Sequence, residues 1–236
     1  MKIGVIIPAA GKGTRMKTDK YKQFMDLKGK PILVHTLKLF DKIDDLDDII
    51  TVVPEEKVDY CKNEIINKYN LPNIKVISGG RTRKESVYFG LKTFSQEIDY
   101  VIIHDGVRPL LPIKVIHKVI NSLKKFQALA VGVEVKDTIK IKDENDFVEK
   151  TLDRSQLVGI QTPQAFKYDL ILKAHESVLA EKKYYDDASL VEESGHAVKI
   201  IEGSYKNIKI TTPGDLLKAE FILDKEQLSN ESRAWI

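Results

Sequence analysis

Five apolar, largely β-branched runs constrain the fold more than any other feature of this chain: residues 3–7 (IGVII), 48–53 (DIITVV), 74–77 (IKVI), 100–104 (YVIIH) and 128–135 (ALAVGVEV). The first reads as a strand buried on both faces, the last as a further buried strand, and the three between them as strands, that at 74–77 short. Between them lie segments with helical periodicity at 31–41, 55–69, 83–94 and 113–126, and Pro31 stands in a natural first-turn position. Strands alternating with helices at this spacing require right-handed crossovers, which implies an α/β fold with a mostly parallel sheet.

The second half of the chain changes texture. Residues 138–142 (TIKIK) alternate apolar and charged side chains and, after the turn-like KDEND, are answered by residues 147–152, so the pair reads as an antiparallel hairpin with one wet face. A hairpin projecting from an α/β body is a candidate dimerisation arm, about 137–156. Beyond it the expectation is strand 157–160, helices 168–180 and 188–193, strands 197–202 and 207–210, and a closing helix over 213–224. No linker rich in Pro, Gly or Ser interrupts the 236 residues, so one domain over 1–236 is expected.

In open α/β sheets, ligands bind outside the carboxyl ends of the strands. The segments at those ends are 8–22 (PAAGKGTRMKTDKYK), 78–86 (SGGRTRKES) and 104–109 (HDGVRP), each combining glycine with cationic side chains. Ala9, Ala10, Gly11 and Gly13 keep bulk away so that backbone N–H groups can meet phosphate oxygens, while Lys12, Arg15, Lys17 and Lys22 bring positive charge. The loop is neither a P-loop, because Thr14 and Arg15 follow Gly13, nor a dinucleotide fingerprint, because Met16 stands where a third small residue belongs. A strand-to-helix turn that uses glycine only for its backbone is the plainer alternative. Gly79, Gly80 and Ser86 suit a nucleotide, or merely a turn with a Ser cap. Asp105 at a strand end needs a metal, a substrate hydroxyl or simply Arg108 three residues on.

Other chemistries find little support. Basic residues number 38 against 35 acidic, a net +3 too weak to argue for nucleic acid or an acidic membrane surface. Cys61 is alone, so no intrachain disulfide is expected; with no leader-like start and no apolar run of spanning length, the expectation is a cytoplasmic protein. The five histidines are not at metal-ligand spacing, no G-x-S-x-G occurs, and 41–48 (DKIDDLDD) lacks the glycine and terminal Glu of an EF-hand loop.

Read in order, AAGKGTRM followed by KQF, then GGRTRKESV, HDGVRP, VKDTIK, DRSQL, QTPQAF, DDASLVE and NIKITTP form a series over about residues 3–223. This series resembles the bacterial 2-C-methyl-D-erythritol 4-phosphate cytidylyltransferases. The resemblance implies a Rossmann-like nucleotidyltransferase sheet with the hairpin as its arm, and a homodimer joined through that arm. It also implies transfer of CMP from CTP to a polyol phosphate, methylerythritol phosphate, with release of pyrophosphate and with Mg²⁺ as cofactor.

By the same resemblance Arg15 and Lys22 stabilise charge on the α-phosphate, and Arg154 and Lys209 hold the incoming phosphate. Pro8, Ala9, Ala10, Gly11, Gly13, Lys22, Gly80, Arg81, Ser86 and Gly106 lie along the nucleotide, and Asp105, Arg108 and Thr138 near the polyol, with Asp105 also a possible Mg²⁺ ligand. Thr138 and Arg154 would reach the partner subunit's site. Two positions depart from the family: Gly106 replaces a frequent Ala, and Tyr185 stands before Asp186 where Thr is common. The rival readings are a ribitol 5-phosphate cytidylyltransferase, a dinucleotide-dependent oxidoreductase, which Met16 disfavours, and a non-catalytic nucleotide-binding module, which has no need of Arg15, Lys22, Arg154 and Lys209 together.

Overall fold

The computed structural model describes residues 1–11, 13, 21–94, 97–177 and 184–233, the side chains of the last helix through residue 225. The first strand, β1 (Ile3–Pro8), leads through two short antiparallel strands, β2 (Asp26–Leu27) and β3 (Lys30–Pro31), into helix α1 (Ile32–Phe40). Then follow β4 (Asp48–Val53), the single turn α2 (Val58–Tyr60), β5 (Ile74–Ser78), α3 (Arg83–Thr93), β6 (Tyr100–Ile103), α4 (Ile113–Leu123) and β7 (Ala128–Glu134). The hairpin is β8 (Lys140–Lys142) with β9 (Val148–Thr151), every residue of both strands exposed. The chain closes with β10 (Val158–Lys167), α5 (Tyr168–Ser177), α6 (Asp187–Glu193), β11 (Lys199–Glu202) and α7 (Pro213–Arg233).

The main sheet has seven strands in the order β11-β7-β10-β6-β1-β4-β5. All neighbours are parallel except β10, which runs antiparallel to both β6 and β7. The expected α/β class with a mostly parallel sheet is therefore what the chain adopts. Both faces are covered, as the β-branched runs require: Ile3, Val5 and Ile7 of β1 share one core cluster with Leu33, Leu37 and Phe40 of α1 and Val115, Ile116 and Val119 of α4. Ile6 joins the opposite cluster with Val87 and Leu91 of α3, Ile171 of α5 and Leu190 and Val191 of α6. Each such side chain contributes about 1.5–3 kcal/mol on leaving water. Gly90 brings α3 close against β1, since a Cβ there would sit 2.9 Å from Ile6 Cγ2.

From β1 the chain builds outward through β4 and β5, then crosses back to lay β6 on the other side of β1. That reversal opens a crevice at the carboxyl ends of β1 and β6.

The closing helix runs on to Arg233 instead of ending at 224, and three further segments differ from expectation. Residues 55–69 are not one α-helix: a tight turn at Glu55–Lys57 and the single turn α2 precede π-type turns over Cys61–Asn67. The wider winding keeps Cys61 and Ile66, five residues apart, together in the core with Ile65. Residues 207–210 form no strand, because their backbone is tied to the loop after β6: Ile210 N donates to Val107 O at 2.9 Å and Arg108 Nη1 to Asn207 O at 2.8 Å. Strand 157–160 proves to be only the start of β10, whose register shifts between Ile160 and Gln164; Pro163, which lacks an N–H to donate, hides the strand in sequence.

Candidate active site

At the carboxyl end of β1 the loop is pinned from two sides. Ala9 N donates to Val52 O at 2.7 Å, and the buried Gln23 side chain donates to Ala9 O. Gly13 has φ +68°, and a Cβ there would press within 3.0 Å of the Lys22 stem, so only glycine combines this turn with that lysine. Lys22 opens a short turn, Lys22–Phe24, anchored by Phe24 against Tyr60 with ring centres 5.2 Å apart. Arg15, Lys12 and Lys17 lie outside the described residues.

The loop after β5 closes over the first. A Cβ on Gly79 would lie 2.6 Å from the Ala10 Cβ and one on Gly80 would strike the Glu85 side chain, which is why two glycines precede α3. Thr82 caps that helix, its Oγ1 accepting from Glu85 N at 3.0 Å, while Glu85 Oε2 accepts from Arg81 N at 2.8 Å. Ser86 Oγ accepts from Gly80 N at 3.1 Å and donates to Thr82 O at 2.9 Å, so this hydroxyl shapes the loop from within.

The loop after β6 carries the densest charge. Asp105 is buried with Arg83 Nε 3.4 Å from its Oδ1, and with Arg108 Nε at 3.4 Å and Lys209 Nζ at 2.8 Å from its Oδ2. Burial alone would raise the Asp105 pKa, but Arg83, Lys209 and Arg108 together hold the carboxyl well below the usual range. Arg83 also reaches the buried Asp187, Nη2 to Oδ2 at 2.7 Å. Gly106 N donates to Pro8 O at 3.1 Å, locking the β6 loop to the end of β1; at this position, an Ala Cβ would stand 3.0 Å from that of Ala9.

These loops enclose one pocket. Of the residues expected along a nucleotide, Pro8, Ala9, Ala10, Gly11, Lys22, Gly80, Arg81 and Ser86 line it, and Asp105 and Lys209 join them. Gly13, Gly106 and Arg108 support it without lining it. Thr138 and Arg154 are exposed at the base of the hairpin, where Arg154 Nη1 donates to Lys136 O at 2.6 Å. Tyr185 is also exposed. Sequence reasoning missed Gln23, Thr82, Arg83 and Asp187. Arg83 left a signal: a cation in the first turn of a helix opposes the helix dipole and therefore calls for a carboxylate partner.

Beneath the pocket, Asp105 N donates to Thr162 Oγ1 at 3.0 Å, and Thr162 Oγ1 lies 3.2 Å from His104 Nδ1. His104 Nε2 meets Arg108 O at 3.1 Å; a carbonyl only accepts, so Nε2 carries the proton and Nδ1 accepts from Thr162. Burial pushes the His104 pKa down to about 4, which keeps the ring neutral.

Comparison with known proteins gives a consistent result. Residues 3–225 match the family model described as IspD: 2-C-methyl-D-erythritol 4-phosphate cytidylyltransferase. A protein of that name from Clostridium beijerinckii is 49% identical over 222 residues, covering 94% of this chain and 98% of the relative. One from Clostridium novyi is 47% identical over 221 residues, covering 93% of this chain and 95% of the relative. Among solved structures, the 4-diphosphocytidyl-2C-methyl-D-erythritol synthase of Anaerococcus prevotii superposes with TM-score 0.84 at 38% identity, over 94% of this chain and 96% of that one. The cytidylyltransferase of Francisella tularensis gives 0.78 at 33%, over 94% and 99%.

The buried His104 fixes a pH dependence. In the unfolded chain it titrates near 6.5 and in the folded chain about 4, so between these values the unfolded state binds more protons and stability falls as pH falls. From pH 7.5 to pH 5 this group alone should remove about 2 kcal/mol of stability. Urea denaturation at the two pH values should give a clearly smaller difference for His104→Gln than for the native chain; equal differences would refute the assignment.

Proposed function

The chain belongs to the 2-C-methyl-D-erythritol 4-phosphate cytidylyltransferase family, and from that premise we propose how its pocket moves CMP from CTP to methylerythritol phosphate. A phosphate oxygen of the polyol phosphate attacks the α-phosphorus of CTP. The new P–O bond forms as the bond from that phosphorus to the bridging oxygen breaks, and pyrophosphate leaves. The nucleophile is already an anion, so the barrier lies in bringing anions together in line rather than in removing a proton. The observation that carries this reading is a pocket whose walls supply Lys22, Arg81, Arg83 and Lys209 around Asp105, the one lining carboxylate among the described residues, already committed to cations.

In this reading Lys22 and Arg15 meet the charge that grows on the α-phosphate. Lys209 meets the incoming phosphate together with Arg154, which with Thr138 comes from the partner subunit's arm. Ala9, Ala10, Gly11, Gly13, Gly80 and Ser86 give the nucleotide room for close backbone approach. Asp105 orders the polyol side of the pocket, and Arg108 serves it by fixing the loop that carries Lys209. The hairpin at 137–156 acts as the dimerisation arm of a single domain, and the protein works in the cytoplasm. No helix among the described residues is long and apolar enough to cross a membrane.

Among the described residues no three His, Cys, Asp or Glu side chains gather, and both Asp105 oxygens face cations. These residues do not form a protein cage for Mg²⁺. The fit is instead to Mg²⁺ arriving on the nucleotide's phosphates, as this small, tightly hydrated cation commonly does.

The deciding experiment is pyrophosphate release from CTP with Mg²⁺ and either methylerythritol phosphate or ribitol 5-phosphate. Release with the first and not the second is expected; the reverse would establish the ribitol enzyme, and silence with both would leave a non-catalytic nucleotide-binding module. Lys22→Ala should lower kcat on the order of 10²- to 10³-fold while the urea midpoint hardly moves; a matched loss of stability would mark Lys22 as structural. Mixing the inactive Arg15→Ala and Arg154→Ala chains should restore part of the activity in mixed dimers, because one of the two shared sites is then intact. No recovery in verified mixed dimers would remove the shared-site arrangement.

A further inference from the structure

Arg83, at the start of α3, spans two buried carboxylates. Its Nε lies 3.4 Å from Asp105 Oδ1 and its Nη2 2.7 Å from Asp187 Oδ2. Asp187 belongs to the first turn of α6, where His175 Nε2 lies 3.5 Å from its other oxygen. That turn is itself held by β10: Gln164 Oε1 accepts from Asp187 N at 3.1 Å and Ala188 N at 3.0 Å, and Gln164 Nε2 donates to Asp186 Oδ2 at 2.8 Å. The far end of Arg83 is thus anchored to a rigid junction of helix and sheet.

The near end governs Asp105. With Oδ1 facing Arg83, Oδ2 turns toward Lys209 at 2.8 Å and Arg108 at 3.4 Å. The cluster joins three cations, Arg83, Arg108 and Lys209, to two carboxylates, Asp105 and Asp187, with His175 beside the second, so its cations outnumber its carboxylates. Arg83 and Lys209 both line the pocket, but Arg83 is fixed by its two carboxylates and Arg108 by Asn207 O, whereas Lys209 stands on a flexible stem with its side chain 37% exposed. The surplus cation therefore stands at the pocket wall, at a point set by the orientation of Asp105.

We infer that Arg83 is a positioning residue for the transfer: held by Asp187, it fixes Asp105 so that Asp105 presents Lys209 to the incoming phosphate. The inference rests on the proposed function. It goes beyond it by making the Asp187–Arg83 bridge, outside the residues assigned to substrate, a determinant of polyol phosphate use.

Arg83→Lys keeps the charge, but one ammonium cannot replace a planar fork that spans two carboxylates. In the otherwise native chain this change should lower kcat/KM for the polyol phosphate by about tenfold and leave KM for CTP within about twofold. In a Lys209→Met chain, whose slow residual turnover is followed over hours, it should cost less than about twofold, since the lysine through which Arg83 acts is gone. The same factor lost in both backgrounds would overturn the inference, for Arg83 would then act independently of Lys209. Asp187→Asn, which removes the outer anchor without touching the pocket, should show the same dependence on Lys209, and it carries the test if Arg83→Lys proves too unstable by urea denaturation. A native chain that releases no pyrophosphate would instead defeat the functional reading beneath it, an outcome separate from additivity in an active chain.

Discussion

Everything at the catalytic end of the sheet depends on one buried carboxylate shared by three cations. A lone ionised carboxylate costs several kcal/mol to remove from water, and breaking a buried pair typically costs about 3–5 kcal/mol. Asp105 meets that cost with Arg83 from α3, Arg108 from its own loop and Lys209 from the loop before α7. Apolar packing is non-directional and sets only how helices lie on the sheet. Charge compensation is directional, and it is what draws these three segments to a single point.

The strands were legible because burial demands apolar runs: β1, β4, β6 and β7 have them almost uninterrupted, and the edge strand β5, IKVIS, keeps one in part. The loops were legible because phosphate chemistry needs glycine and cations side by side. Other features had no local signature. Residues 207–210 look like a strand by composition, yet they spend their backbone on the β6 loop. Residues 55–69 show a helical pattern, but the pattern does not state how many residues make a turn. Arg83 and Asp187 lie far apart in the chain, and only the packing of α3 beside α5 and α6 on one face of the sheet brings them together.

β10 shows how a strand can serve core and site at once. Ala165 and Phe166 fill opposite cores, while Thr162 and Gln164, on either side of Pro163, turn polar groups to the loop after β6 and to the start of α6. The irregular register between Ile160 and Gln164 falls in this stretch, as is common where a strand aims side chains at a site. The neutral His104, enclosed between Thr162 and the Arg108 carbonyl, extends that polar seam without adding a charge that would compete for Asp105.

The reversed direction of β10 also decides how the chain reaches the hairpin. Because β7 ends, and β10 begins, at the same edge of the sheet, the segment between them leaves and returns beside the pocket. A parallel β10 would have sent the chain to the opposite edge through a covering helix. Instead the span from residue 135 to 157 is an insertion that, among the described residues, adds no member to the buried core clusters. One inverted strand thus decides that the hairpin leaves the sheet at its carboxyl end instead of crossing a face.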